Sequence, residues 1–173
     1  GDLARVQAVR AAAPHCRLLV DANTGWQRTQ LIDYLPELKT LGVELIEQPF
    51  PPGQDHWLDG IERLLPIAAD ESCQTLASLP SLRGRYDYIN IKLDKTGGLT
   101  EALSLLTAAQ QQRMGIMIGC NIGTSLAMAP ALYLAQWATY VDLDGPLLLT
   151  EDRPYGLHYQ GNQILPPTPA LWG

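Results

Sequence analysis

The chain is poor in cysteine, has no run of lysine or arginine, and contains no long apolar stretch; each shortage removes a class of function. Its three cysteines, Cys16, Cys73 and Cys120, are odd in number, far apart and set inside apolar segments. That is the usage of a reducing compartment rather than a disulfide framework, and a cytoplasmic location is expected. A formal net charge of −6 and a pI near 4.9, with no basic cluster, exclude a nucleic-acid surface. No apolar run reaches the roughly 20 residues of a membrane span, and the N-terminus lacks a signal-peptide pattern, so no membrane partner is expected. Heptads, short repeats and low-complexity tracts are also missing.

What is present is enough apolar material for one domain: 173 residues, 46% hydrophobic, mean hydropathy −0.04. Apolar strands at 17–22, 43–47, 67–70, 88–93, 116–118 and 140–143 alternate with helices. The first helix, 3–13, is closed by Pro14. The others are 29–41 (Thr29 as N-cap, Gly42 as stop, a blemish at Pro36), 56–64, 75–83, 100–113 (Thr100 as N-cap) and 124–137. Such alternation is the signature of a parallel sheet or barrel. Near residue 150 the pattern changes: residues 1–150 read as a partial (β/α) barrel, and 151–173 as a tail with a hairpin around Gly161-Asn162. A complete barrel takes roughly 250 residues. The chain is shorter and opens inside a helix without Met, so a piece of a larger protein is expected.

Three apolar runs each end in a carboxylate, at Asp21, Glu47 and Asp70, spaced 26 and 23 residues apart. One helix plus one strand fills each gap, which in a parallel barrel places the acids at the same end of neighbouring strands, where barrel active sites lie. Singly, such acids are more often helix caps or solvated charges. Three together repel one another and raise each other's pKa unless a cation sits among them. An all-oxygen set suits a hard ion, Mg²⁺ before Zn²⁺. By strand alternation Asn23 shares a face with Asp21, and could stand behind it as support.

On the fourth strand Asn90, Lys92 and Asp94 share a face. A lysine inside an apolar strand is costly unless paired or used. Beside a dication Lys92 suits proton transfer; the competing reading is an ion pair with Asp70 or Asp94. Lys95 falls on the following loop, as support for the site or as a surface charge. Asp142 and Asp144, at i and i+2 on the sixth strand, form an anionic pocket suited to a primary ammonium. A second metal site or a helix-capping pair competes with that reading. The small-residue loop 119–125, with Cys120 and Asn121, can line a pocket or hold an anion.

The motifs Asp-Ala-Asn, Glu-Gln-Pro, Asp-Glu-Ser, Asn-Ile-Lys-Leu-Asp-Lys-Thr-Gly-Gly-Leu and Asp-Leu-Asp-Gly-Pro, in this order, closely resemble the enolase superfamily. Within it they resemble the muconate-lactonizing subgroup, nearest to dipeptide epimerases of the L-Ala-D/L-Glu type. The resemblance implies a modified (β/α)7β barrel, TIM-like and here an incomplete C-terminal portion, with a tail that would pack on a capping domain. It implies Mg²⁺ on Asp21, Glu47 and Asp70, and Lys92 as one of two acid/base lysines. It also implies a dipeptide substrate whose α-ammonium meets Asp142 and Asp144, and epimerisation through an enediolate. The Lys-x-Lys strand carrying the other lysine has no counterpart here, so this piece alone is expected to be inactive. Cycloisomerisation, o-succinylbenzoate synthesis and N-acylamino acid racemisation are the alternatives within the subgroup; an inert barrel remnant is the alternative outside it. Unpaired edge strands invite self-association, and a homo-oligomer is expected.

Overall fold

The computed structural model describes residues 1–173. Two compact units make up the chain: Gly1–Cys73 with Pro80–Ile89, and Gln74–Leu79 with Asn90–Gly173. Six strands follow one another in hydrogen-bonded order β1 to β6, and every registered pair is parallel.

The first unit holds α1 (Asp2–Ala12), β1 (Leu18–Asp21), α2 (Arg28–Thr40), β2 (Val43–Glu47), β3 (Ile67–Ala69) and α3 (Leu79–Leu82, shared at its first residue). The start of β4 (Tyr88–Ile91) also belongs to it. On α2, Leu31, Leu35 and Leu38 recur at helical spacing and are buried. On β2, Leu45 and Ile46 are both fully buried although they are successive residues. A parallel strand is covered on both faces, so its apolar run is continuous rather than alternating.

The second unit holds the rest of β4, then α4 (Leu93–Thr96), α5 (Leu99–Gln111), β5 (Gly115–Ile118), α6 (Ser125–Ala135) and β6 (Tyr140–Val141). Its tail forms a two-stranded antiparallel hairpin, β7 (Tyr159–Gln160) and β8 (Gln163–Ile164), turning at Gly161 with φ +60°. Leu105 and Ala109 of α5, Ile116 and Ile118 of β5, and Met128 and Leu134 of α6 are buried.

Several expectations are corrected. Residues 56–64 do not form a helix: a single 3-10 turn covers Asp55–Leu58, then Asp59 is extended and Gly60 has φ +75°. The N-caps expected at Thr29 and Thr100 lie at Gln27 and Gly98 instead. α2 runs through Pro36, which is exposed, and on to Thr40. Of the three cysteines, Cys16 is exposed, Cys73 buried and Cys120 half-buried.

Candidate active site

In the first unit the strand register brings Asp21 beside Glu47, and Glu47 beside Ala68, two residues before Asp70. Glu47 and Asp70 are buried, at 7% and 3% exposure, whereas Asp21 is exposed. No three His, Cys, Asp or Glu side chains are gathered closely enough to hold a metal ion. The donor set has the chemistry of a hard-cation site, all carboxylate oxygen, but is not drawn together into a ready ligand cluster.

The backbone beyond these strands is strained. Asn23, Thr24 and Gln48 have φ of +44°, +63° and +31°, a region costly for residues with a side chain and above all for a β-branched one. Hydrogen bonds hold it there. Ala22 N–H donates to Glu47 O at 3.0 Å, and Thr24 N–H to Gln48 O at 2.8 Å. Asn23 therefore does not share a strand face with Asp21; it lies in a turn. It still reaches that carboxylate, donating from its backbone N–H at 2.8 Å and its Nδ2 at 2.7 Å.

Gln48 was not singled out by the sequence reading, yet it ties two loops together. It is fully buried. Its Oε1 accepts from the N–H of Asp70 at 2.8 Å and of Ser72 at 3.1 Å. Its Nε2 faces Phe50 O at 2.8 Å, Ser72 Oγ at 3.0 Å and the Tyr86 hydroxyl at 3.1 Å. Ser72 and Tyr86 in turn both donate to Asp55 Oδ1 at 2.6 Å. Burial, and then the hydrogen bond to the Asp55 carboxylate, push the Tyr86 phenol well above its ordinary pKa, so it remains a donor. The backbone at Asp70 is thus fixed by one amide side chain from the neighbouring loop. Its only sequence signal was the Glu-Gln-Pro motif.

In the second unit Lys92 follows β4 in an extended conformation, φ −120° and ψ 130°, at the N-cap of α4. It is half-buried, and alternation from the buried Asn90 carries this one residue further. Asp94 lies inside α4 and leaves that face. Lys95 turns back and donates from Nζ to Asn90 O at 2.9 Å. Gly119 is obligatory here: a Cβ would stand 2.6 Å from Asn90 Oδ1.

Cys120 is half-buried against the turn at Gly145, where an added Cβ would lie 3.3 Å from its Sγ. Burial raises its thiol pKa, a Gly145 backbone hydrogen bond opposes that, the charges of Asp142 and Asp144 raise it further, and Lys92 lowers it. Asp142 and Asp144 are exposed, with the buried Leu143 between them. They lie beyond β6, which ends at Val141, so strand alternation is not what groups them. Asp144 occupies the N-cap of the 3-10 turn Gly145–Leu148 without a side-chain capping bond, which argues against the helix-capping reading. Asn121 is exposed; its carbonyl would lie 2.7 Å from a Cβ at Gly145, so only glycine permits this approach of the two loops.

Residues 1–167 match the family model described as enolase C-terminal domain-like. The chain belongs to that family, and its parallel strand–helix alternation is part of a TIM-like (β/α) barrel. It is 51% identical over 171 residues to an N-acetyl-D-glutamate racemase of Pseudoalteromonas sp, covering 99% of this chain and 54% of that protein. It is 44% identical over 160 residues to the L-Ala-D/L-Glu epimerase of Escherichia coli K12, covering 92% and 50%. A solved enolase family member from Agrobacterium tumefaciens, described as homologous to dipeptide epimerases and holding sodium and L-Ala-L-Glu, superposes with TM-score 0.97. It is 53% identical, over all of this chain and 53% of that one. Further solved dipeptide epimerases hold magnesium and a dipeptide. The chain spans about half the length of the curated relatives it matches. No helix is long and apolar enough to cross a membrane.

Proposed function

We propose that this chain is part of a metal-dependent epimerase that inverts the carbon next to the carboxylate of a dipeptide of the L-Ala-D/L-Glu kind. The observation that carries this is the run of strand ends: Asp21 and Glu47 close β1 and β2 in register, Lys92 follows β4, and Asp142 and Asp144 follow β6. Relatives named as dipeptide epimerases, and a solved relative holding L-Ala-L-Glu, support it.

The roles divide by chemistry. Asp21, Glu47 and Asp70 would hold Mg²⁺, as their all-oxygen donor set suits it. When bound, that ion supplies positive charge against the negative charge that develops on the substrate carboxylate as the α-proton leaves. Asn23 orients Asp21 through its two hydrogen bonds. Lys92 takes or returns the α-proton on one face, a task for an amine held in a partly desolvated place. Asp142 and Asp144 anchor the substrate ammonium and so orient the reacting carbon. Cys120 and Asn121 line the floor beside them, and Lys95 secures the backbone at Asn90. A homo-oligomer belongs to the same proposal.

A second reading is racemisation of an N-acylated amino acid, favoured by the 51% identity to an N-acetyl-D-glutamate racemase. The two substrates are closely related: alanyl-glutamate is an N-acyl-glutamate whose acyl group bears an ammonium. Asp142 and Asp144 have a use only in the first.

Deuterium exchange at the glutamate α-carbon of L-Ala-L-Glu, measured on the full gene product carrying this chain, tests the reading. Lys92→Ala is expected to lower exchange at least 100-fold, in line with the loss of a general base. Exchange and epimerisation left intact would overturn the role of Lys92. Turnover of N-acetyl-D-glutamate in preference to the dipeptide would replace the first reading by the second.

A further inference from the structure

The C-terminal tail is bound to the segment that carries Asp142 and Asp144. Tyr159, in β7, donates its hydroxyl to Leu143 O at 2.7 Å, the carbonyl between the two aspartates. Backbone bonds also hold that segment: Asp142 N–H donates to Ile118 O of β5 at 2.9 Å, and Leu147 N–H to Asp144 O at 2.8 Å. Leu143 O is a point at which a side chain from outside the segment takes hold.

The hairpin bearing Tyr159 is itself moored. Ser125, the first residue of α6, is fully buried. Its hydroxyl donates to Asp152 Oδ2 and accepts from Leu157 N–H at 2.8 Å. Asp152 Oδ1 accepts from the N–H of Ser125 at 3.0 Å and of Arg153 at 2.8 Å. Gly156 closes the turn where no side chain fits, since a Cβ would lie 2.6 Å from Asp152 Oδ2. Burial, together with the nearby Cys120, Asp152 and Asp144, pushes the Tyr159 phenol up to about 12. It therefore stays protonated and donating across the working range of an enzyme.

We infer that Tyr159 is a positioning residue for substrate choice: by holding Leu143 O it sets the spacing of the Asp142 and Asp144 carboxylates around a substrate ammonium. This rests on the reading of those two aspartates as the ammonium pocket. Both are exposed and make their approach from a short irregular segment, so their spacing depends on the backbone between them. A pocket for an ammonium is sensitive to that spacing; the binding of an acyl group without one is not.

The test compares L-Ala-L-Glu with N-propionyl-L-glutamate, the same molecule without its ammonium, used as a competitive inhibitor of the full gene product. For Tyr159→Phe, KM for the dipeptide is expected to rise about tenfold, with kcat changed less than twofold and Ki for the propionyl compound changed less than twofold. Equal changes in KM and Ki would mean that Tyr159 only stabilises the tail, and unchanged values would mean that it does nothing for the pocket; either overturns the inference. Asp142→Asn and Asp144→Asn separate this from failure of the underlying reading. If those variants leave the ratio of KM to Ki as it was, the ammonium pocket itself is wrong. If they alter it and Tyr159→Phe does not, only the positioning role falls. Thermal unfolding of each variant, followed by circular dichroism, confirms that a folded protein is being compared.

Discussion

The two units place their candidate groups by opposite means. In the first, the loop that follows Glu47 and the loop that carries Asp70 are locked by a buried side chain: Gln48 reaches the backbone of Asp70 and Ser72, and Tyr86 and Ser72 converge on Asp55. In the second, Asp142 and Asp144 stay exposed on a segment held by backbone bonds and by a strap from the tail. Stranded polar groups are expensive where water cannot reach and cheap where it can. The first arrangement holds one geometry by exclusion of water, and the second leaves its carboxylates in water on a backbone held from outside.

The sharpest way to break this comparison is to remove Gln48. Gln48→Leu keeps most of the volume but leaves the N–H groups of Asp70 and Ser72 without their acceptor, and Phe50 O and the Tyr86 hydroxyl without a donor. At about 1–3 kcal/mol for each stranded buried group, partly relieved by relaxation, a loss of about 3 kcal/mol in unfolding free energy is expected. Urea denaturation reads it. A loss under 1 kcal/mol would show that the network is dispensable and that the first unit is no more tightly fixed than the second.

The sequence showed part of this and hid the rest for a physical reason. Runs such as Val43 to Glu47 and Tyr88 to Ile91 are written in consecutive residues, so six strands, their order of appearance and the acids at their ends could be read directly. The tail hairpin at Gly161 was legible for the same reason. Face assignments failed wherever the strand stopped early: β6 has two residues, so alternation could not relate Asp142 to Asp144, and α4 begins before Asp94. The expected helix at 56–64 failed because Gly60 takes a left-handed conformation that no apolar periodicity announces. Gln48 was invisible because its partners Ser72 and Tyr86 lie 24 and 38 residues away. Tyr159 was missed likewise, its contact at Leu143 being 16 residues distant.

A smaller effect, and one that sharpens the comparison, is expected from acid. Burial alone would raise the Asp152 carboxyl, but the donors Ser125 (hydroxyl and N–H) and Arg153 (N–H) outweigh it and hold the group below its ordinary value of 3.8. A carboxyl whose folded pKa is depressed contributes stability that is complete above the unfolded value and is lost as pH falls through the folded one. The mooring of the tail should therefore loosen below about pH 4. Protection of the Leu157 amide against hydrogen exchange, corrected for the intrinsic rate, is expected to fall severalfold between pH 5 and pH 3. Asp152→Asn should show no such fall. A decline of equal size in that variant would assign the loosening to other carboxylates.

The smallest effect tests whether burial, rather than the number of bonds, separates the two arrangements. Arg85 grips Asp59 with two hydrogen bonds, Nε to Oδ1 at 2.9 Å and a terminal nitrogen to Oδ2 at 3.0 Å. The pairing holds the Asp59 carboxyl below its ordinary pKa and raises that of Arg85. This pair lies in the same unit as Gln48 and has comparable geometry, but it is open to water, where solvent screens the attraction and replaces both bonds. Asp59→Asn is therefore expected to leave the urea midpoint unchanged within error, in low salt and in 0.5 M salt alike. A midpoint shift approaching that of Gln48→Leu would mean that hydrogen-bond count, and not exclusion of water, sets the rigidity of the first unit.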